Sequence, residues 1–314
     1  MGRKRNYGRL LDGVLVLNKA PGMSSNHALQ QAKRLFFANK AGHTGALDPL
    51  ATGVLPICFG ESTKFSQYLL DADKSYHATF RLGMATDTCD AEGQVIAQED
   101  ASAITRTQVE KALTQFRGEI RQVPPMFSAL KHNGKPLYQL AREGIEIERE
   151  ARPVTIFELE LLAFRSGALA EVDIRMTCSK GTYVRSIAQD LGVALGCGAH
   201  VSALHRTQAG PFTEAHAVSI DQLASERQDR EANVLDYHLL AVDAPVADLP
   251  ELELSADSSF YFSRGQAVMD LKVYRLGDQG DTVRVRREDG VFLGLGEITD
   301  DGRIAPRRLV ASAS

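Results

Sequence analysis

The most constraining feature of this chain is one fifteen-residue stretch, Gly42-His43-Thr44-Gly45-Ala46-Leu47-Asp48-Pro49-Leu50-Ala51-Thr52-Gly53-Val54-Leu55-Pro56. It carries a single carboxylate, Asp48, among three glycines and two prolines. Glycine adopts backbone angles that other residues resist, and proline fixes φ and removes a hydrogen-bond donor. A segment restrained in this way holds its one charged side chain in a defined place. The neighbouring residues are small and apolar, so Asp48 is expected in a partly dry pocket. Asp-Pro is also a turn dipeptide in which the carboxylate bonds nearby backbone. Local sequence leaves both readings open.

Around this stretch the chain alternates strand-like and helix-like segments. Residues 13–17 read as a short buried strand. Ser24 or Ser25 then caps a helix with Leu29, Ala32, Leu35 and Phe36 on one face and Lys33 and Arg34 on the other. Residues 62–70 fit a helix. Residues 76–82 alternate at the strand period, with Tyr76 opening the buried side, and residues 86–93 read as a polar loop. Thr107 and Glu110 have capping-box spacing ahead of Ala112, Leu113 and Phe116, with Gly118 as the stop. Residues 123–150 lack a clear period except for a short helix over 137–142; so long an irregular segment inside a compact domain is usually functional or disordered. Residues 154–164 and 171–177 read as paired strands. Thr182 is the expected cap of a helix bearing Ile187, Leu191 and Leu195, closed by Gly196-Cys197-Gly198, and 200–204 reads as the next strand.

The last third has a different character. Residues 214–248 are acidic and partly helical, as a covering segment and linker would be. From Leu249 onward short strands and turns, among them Asp289-Gly290 and Asp301-Gly302, suggest a small β-barrel or sandwich.

Charge distribution says more than the formal net charge of −4. Residues 1–40 carry a net +7 and residues 214–257 a net −9, the polarity of a one-sided nucleic-acid surface. Residues 1–11 read as a flexible basic arm. The four cysteines, Cys58, Cys89, Cys178 and Cys197, have no paired spacing, which argues against a zinc site or a disulfide framework. The apolar run at 13–17 is too short for a signal-peptide core, and no stretch reaches transmembrane length. A cytoplasmic protein is expected.

Residues 42–56, continued by Ile57-Cys58-Phe59-Gly60-Glu61-Ser62-Thr63-Lys64, resemble the catalytic motif of the TruB family of pseudouridine synthases, bacterial enzymes that isomerise a uridine at position 55 in the T-loop of tRNA. The resemblance extends over most of the chain. It implies an α+β pseudouridine-synthase fold, with a central mixed, largely antiparallel sheet flanked by helices and a small C-terminal PUA-like β-barrel. It divides the chain into the arm at 1–11, a catalytic domain at 12–248 with an RNA-gripping insertion at 123–150, and a PUA-like RNA-binding domain at 249–314.

By the same resemblance Asp48 is the essential catalytic aspartate. His43, Tyr76, Tyr183 and Leu204 contact the substrate, while Arg185 pairs with Asp48 and Lys19 supports the site. Asn18, Ala20 and His205 depart slightly from the family pattern. The implied partner is the T-arm of tRNA, with no membrane, and the chain is expected to act as a monomer. Pseudouridine formation detaches uracil, turns it over and rejoins it through carbon, with nothing oxidised and no group acquired, so no cofactor or metal is expected. The reaction needs one ionised carboxylate, a pocket for the flipped nucleotide and a means of retaining the free base. Covalent attack and proton abstraction by Asp48 both remain open.

Two other classes fit less well. A non-catalytic RNA binder or chaperone would need the same surface without Asp48. A carboxylate glycosidase usually needs two acids flanking the bond, and no second acid is apparent in sequence beside Asp48.

Overall fold

The computed structural model describes residues 7–311. Its centre is a ten-stranded mixed sheet. The strands that matter for the site are β1 (Gly13–Lys19), β2 (Ala41–His43), β3 (Thr52–Phe59), β4 (Lys74–Leu82), β5 (Gly118–Gln122), β6 (Arg152–Arg165), β7 (Glu171–Cys178), β8 (Ala199–Ala209) and β9 (Val218–Ser219). They run in the order β9-β1-β3-β8-β4-β7-β6-β5, with β2 on β3. The β1–β9 and β3–β8 pairings are parallel, and the other neighbours in that order are antiparallel.

Helices α1 (Ser25–Leu35), α3 (Arg106–Leu113) and α5 (Val184–Leu195) cover one face; α2 (Ser66–Asp71) and α4 (Leu137–Arg142) are shorter. Alternation along β4 sorts its side chains. Tyr76, Ala78 and Phe80 enter the core beneath Ala28 and Ala32 of α1, Val109 and Leu113 of α3, and Ile187 and Leu191 of α5. His77, Thr79 and Arg81 point to the opposite face, where Arg81 pairs with Glu171 and Thr79 with Asp173. Near-continuous apolarity in β1 has a matching cause. Leu15 and Leu17 join the main core, while Val14 and Val16 pack into a second cluster behind the sheet with Val54, Cys58 and Phe212. A strand buried on both faces has no need for polar alternation.

Several elements differ from the sequence reading. The capping box of α3 is Thr105 with Gln108, two residues upstream of the Thr107–Glu110 pair. The upstream start puts Ile104 just outside the helix and Val109 in its first turn, both against the main core, the arrangement of a hydrophobic staple. Residues 62–70 are split between a 3-10 turn (Gly60–Phe65) and α2. Strand β8 continues past 204 to Ala209. Thr86 pairs with Val95 in a small hairpin flanking the polar loop. Of the expected basic arm, residues 1–6 lie outside the described residues. Arg9 is docked: its guanidinium reaches Asp236 at 3.1 Å and its backbone bridges Ala38. All four cysteines are buried and free.

Beyond helix α6 (Ile220–Arg227) and the linker, a separate core gathers under a five-stranded curled sheet. Its strands are β10 (Glu251–Leu254), β11 (Val268–Met269), β12 (Thr282–Arg287), β13 (Phe292–Ile298) and β14 (Arg303–Leu309), with helix α7 (Ala256–Phe262) alongside. This curled sheet stands where the small PUA-like β-barrel is expected and is consistent with it. It meets the body built on the ten-stranded sheet where Phe65 packs against Val246 and Leu295. Among the described residues no helix is long and apolar enough to cross a membrane.

Candidate active site

Asp48 sits in the connection between β2 and β3, and that connection is clipped from several sides. Backbone Ala51 N–H donates to the Asp48 carbonyl at 3.0 Å, closing the Asp-Pro turn. Ser25, at the start of α1, accepts from Leu47 N–H at 2.7 Å and donates to its carbonyl at 3.0 Å. Lys19, wholly buried at the end of β1, donates to the carbonyls of Ala20 at 2.9 Å and Pro49 at 3.2 Å. The turn reading of Asp48 thus holds for its backbone, while its side chain is left for other work.

That side chain meets Arg185 from the first turn of α5. Arg185 Nε lies 2.8 Å from Asp48 Oδ2, and Nη2 lies 3.1 Å from Oδ1. This is the bidentate fork that fits a planar guanidinium to a carboxylate. The remaining donors of Arg185 go to Thr88 O at 3.0 Å and Phe127 O at 2.7 Å. Only 5% of the Arg185 side chain is exposed, against 34% of Asp48. The aspartate is therefore the member of the pair that an incoming molecule can touch.

A second acid, unseen in sequence, completes the group. Asp90 is buried, and its Oδ2 lies 3.7 Å from Arg185 Nη1. Its other oxygen accepts from Thr88 Oγ1 at 2.6 Å and from Glu92 N–H at 3.1 Å. Cys89 between them has φ +61°, a left-handed conformation uncommon outside glycine, and it turns Thr88 O and Asp90 toward the same guanidinium. The expectation of no second acid near Asp48 is corrected here. Asp90 comes from a loop forty-two residues downstream, and it lies across Arg185 from Asp48 instead of flanking an open bond.

Burial pushes the Asp48 carboxyl above its usual range, and Asp90 pushes it the same way; Arg185, and more weakly Lys19, pull it down. These are the opposing effects of desolvation and neighbouring charge. Lys19 itself is lowered by burial to about 8.

Tyr183 immediately precedes α5. The expected cap, Thr182, instead donates its hydroxyl to Ser179 O at 2.9 Å. Gln122 on the edge strand β5 takes over the clamping: its Oε1 accepts from Tyr183 N–H at 2.7 Å and its Nε2 donates to Tyr183 O at 3.0 Å. Tyr76 is buried, and burial raises its phenol. Leu204 is buried on β8, the strand paired with β3 at the end of the Asp48 loop, in the core that also holds Tyr76. His43 lies in β2; burial and the positive charge of Arg206 both lower its pKa, and its buried Nδ1 has no hydrogen-bond partner among the described residues. The structure thus draws Asp48, Arg185, Lys19, Tyr76, Tyr183, Leu204 and His43 around one loop. Asp90 and Gln122 were missed: both act through a fold-made juxtaposition, and neither lies in a recognisable motif.

A separate trough of about 410 Å³ opens beside this group, lined by Leu50, Thr52, His77, Thr79, Leu204 and His205. His205 shares a 2.7 Å hydrogen bond with Thr52 and lies 2.8 Å from Glu214. Among the described residues no group of three or more His, Cys, Asp or Glu side chains is placed to hold a metal ion.

Three family models match consecutive parts of the chain. They are the N-terminal domain of the TruB family pseudouridylate synthases over residues 33–184, the tRNA pseudouridylate synthase B C-terminal domain over 185–247, and the C-terminal region of pseudouridine synthase II TruB over 250–310. The tRNA pseudouridine synthase B of Saccharophagus degradans is 61% identical over 313 residues, covering 100% of both chains. The chain belongs to the TruB family. The synthase of the same name from Pseudomonas aeruginosa is 51% identical over 99% of this chain and 100% of its own. Among solved structures, a chain of a Cbf5–Nop10–Gar1 complex superposes with a TM-score of 0.68 at 26% identity, covering 92% of this chain and 79% of that one. An H/ACA RNP bound to a substrate RNA shares the fold, with a TM-score of 0.70 at 22% identity over 99% of this chain and 92% of that one. The two C-terminal TruB matches fall on α5, β8 and the covering segment, and on the curled sheet, so membership extends well beyond the Asp48 loop.

Proposed function

We propose that this TruB-family chain isomerises uridine to pseudouridine at position 55, in the T-loop of tRNA, with Asp48 as the catalytic residue. The observation that carries this reading is the Asp48–Arg185 pair. A partly open carboxylate, gripped by a buried bidentate arginine whose charge favours its ionised form, is the one strong nucleophile or base that the reaction needs. Its geometry supports access by a flipped nucleotide, since the open side of the pair is the carboxylate. Tyr76 and Leu204 bound the base, and Tyr183 places a phenol at the helix start. Retention of the base in this pocket while its bond to ribose is broken lets the same ring return through carbon. The T-arm reading is favoured by relatives of more than half identity whose names specify tRNA.

In this reading residues 123–150 grip the RNA. The insertion touches the chemistry directly, because Phe127 O accepts from Arg185 and Val123 O accepts from Ser186 at 3.1 Å. The PUA-like sheet adds a second RNA contact, and the chain works as a cytoplasmic monomer.

The test is conversion of uridine in an unmodified tRNA, followed by mapping of the modified position, for the unsubstituted protein beside Asp48→Asn. The variant should bind tRNA normally and lose at least about 10^3-fold in rate, within the range for a lost general acid–base group. Product elsewhere in the tRNA would overturn the T-loop assignment. Binding by both proteins without product would leave an RNA-binding protein. Release of free uracil would mark a glycosidase.

A further inference from the structure

Among the described residues Arg206 is the largest fully buried side chain, with 1% of its surface exposed. It stands on β8 two residues beyond Leu204, so strand alternation puts the two on the same buried face. No ion pair involves it among the described residues. A buried cation with no carboxylate partner is costly unless its donors are well used. Arg206 uses them on backbone: Nε donates to Val54 O at 2.7 Å and Nη2 to Gly45 O at 3.1 Å. Those two carbonyls lie on either side of Asp48, at opposite ends of the loop that carries it.

Two glycines allow this approach. Gly53 has φ +99°, and a Cβ there would come within 2.2 Å of Arg206 O. Gly45 has φ +77° and presents its carbonyl to the guanidinium. The charge is felt all round the site: it lowers the pKa of Lys19, Lys74 and His43 and opposes the rise caused by burial of Tyr76.

We propose that Arg206 is the positioning residue of the catalytic loop, a buried guanidinium that staples Gly45 to Val54 and so fixes where the Asp48 carboxylate stands relative to Tyr76. This rests on the isomerase reading above. Arg185 holds the carboxylate itself; Arg206 holds the two ends of the backbone from which it projects. A displacement of about 1 Å at reacting groups is enough to cost roughly 100-fold in rate.

The experiment is single-turnover conversion of tRNA, with the tRNA Kd measured in parallel, for the full chain and for Arg206→Lys and Arg206→Ala. Lysine keeps the charge but cannot span both carbonyls. It should therefore bind tRNA within a few-fold of the unsubstituted protein and react about 100-fold more slowly. Ethylguanidinium should restore part of the Arg206→Ala rate, which a general loss of packing would not allow. Conversion by Arg206→Lys within three-fold of the unsubstituted rate would overturn the proposal. Should both variants fail to fold, hydrogen exchange on the unsubstituted protein decides. The hydrogen-bonded loop amides of Leu47 and Ala51 should exchange as slowly as those of β4 if the loop is stapled, and exchange at the rate of exposed loops would overturn it. A failed isomerase reading looks different, because then the unsubstituted protein itself makes no product.

Discussion

Two acids share one guanidinium in this site, and the carboxyl of one of them, Asp48, is pushed in opposite senses by Asp90 and Lys19. Asp90 raises the pKa of Asp48, and Lys19 lowers it. If the ionised carboxylate is the working form, the rate rises with pH through the elevated Asp48 pKa and then levels. Removing the anion should move that rising limb to lower pH, and removing the cation should move it to higher pH. Asp90→Asn and Lys19→Met are therefore expected to displace the profile of single-turnover rate against pH in opposite directions. Equal displacement of both in one direction would mean that the two residues act only through loop structure. The sequence made Asp48 and Arg185 legible through motif resemblance alone. It could not reveal Asp90, because an aspartate in a polar loop is ordinary until a left-handed Cys89 turns it toward Arg185. Arg206 had a local signal, the two-residue spacing from Leu204 along a strand, but a lone arginine at that spacing more often faces solvent.

At the scale of elements, the sequence reading went astray where two local signals competed and packing chose between them. Thr105-Arg106-Thr107-Gln108 and Thr107-Gln108-Val109-Glu110 both have capping-box spacing. The first was selected because it allows Ile104 and Val109 to close over the core together. Thr105 Oγ1 accepts from Gln108 N–H at 3.4 Å, and Gln108 Oε1 accepts from Thr105 N–H at 2.8 Å. Replacing Thr105 with Ala should cost about 1 kcal/mol, the usual loss for a helix N-cap. Replacing Thr107, which has no capping role in this helix, should cost only a few tenths of that. Urea denaturation of the two variants measures the difference, and equal midpoints would restore the downstream cap. The expected cap at Thr182 failed for a related reason. A side chain that completes one turn is not free to cap the next, and Gln122 on β5, sixty-one residues away, holds Tyr183 instead. No reading confined to neighbours in sequence could have found that partner, whereas the strands with clean alternation, β4 above all, were readable from the chain alone.

Two folding units make up the molecule, and charge as well as packing joins them. Asp243, in the acidic linker, is buried with a side-chain exposure of 5%. It pairs with Arg284 at 3.2 Å and also with Arg286, both on β12 of the C-terminal sheet, while Glu251 takes the outer side of the same two arginines at 3.2 and 2.9 Å. The net negative charge of residues 214–257 is thus in part a counter-surface for the C-terminal sheet, a use that the sequence alone did not disclose. Removing one partner of a buried pair costs about 3–5 kcal/mol, because the other charges are left buried and unmatched. Asp243→Ala should therefore weaken the C-terminal unit and its seat on the catalytic body, while leaving the Asp48 loop untouched. Calorimetry should then resolve an early transition for the C-terminal sheet ahead of the main one. Conversion of an isolated T-arm stem-loop should stay near the unsubstituted rate, and affinity for full-length tRNA should fall if the PUA-like sheet carries its own RNA contact. A single transition at the original Tm would show that the apolar contact of Phe65, Val246 and Leu295 suffices to hold the two units together. Loss of stem-loop conversion would show that the seat of the C-terminal sheet shapes the catalytic loop as well.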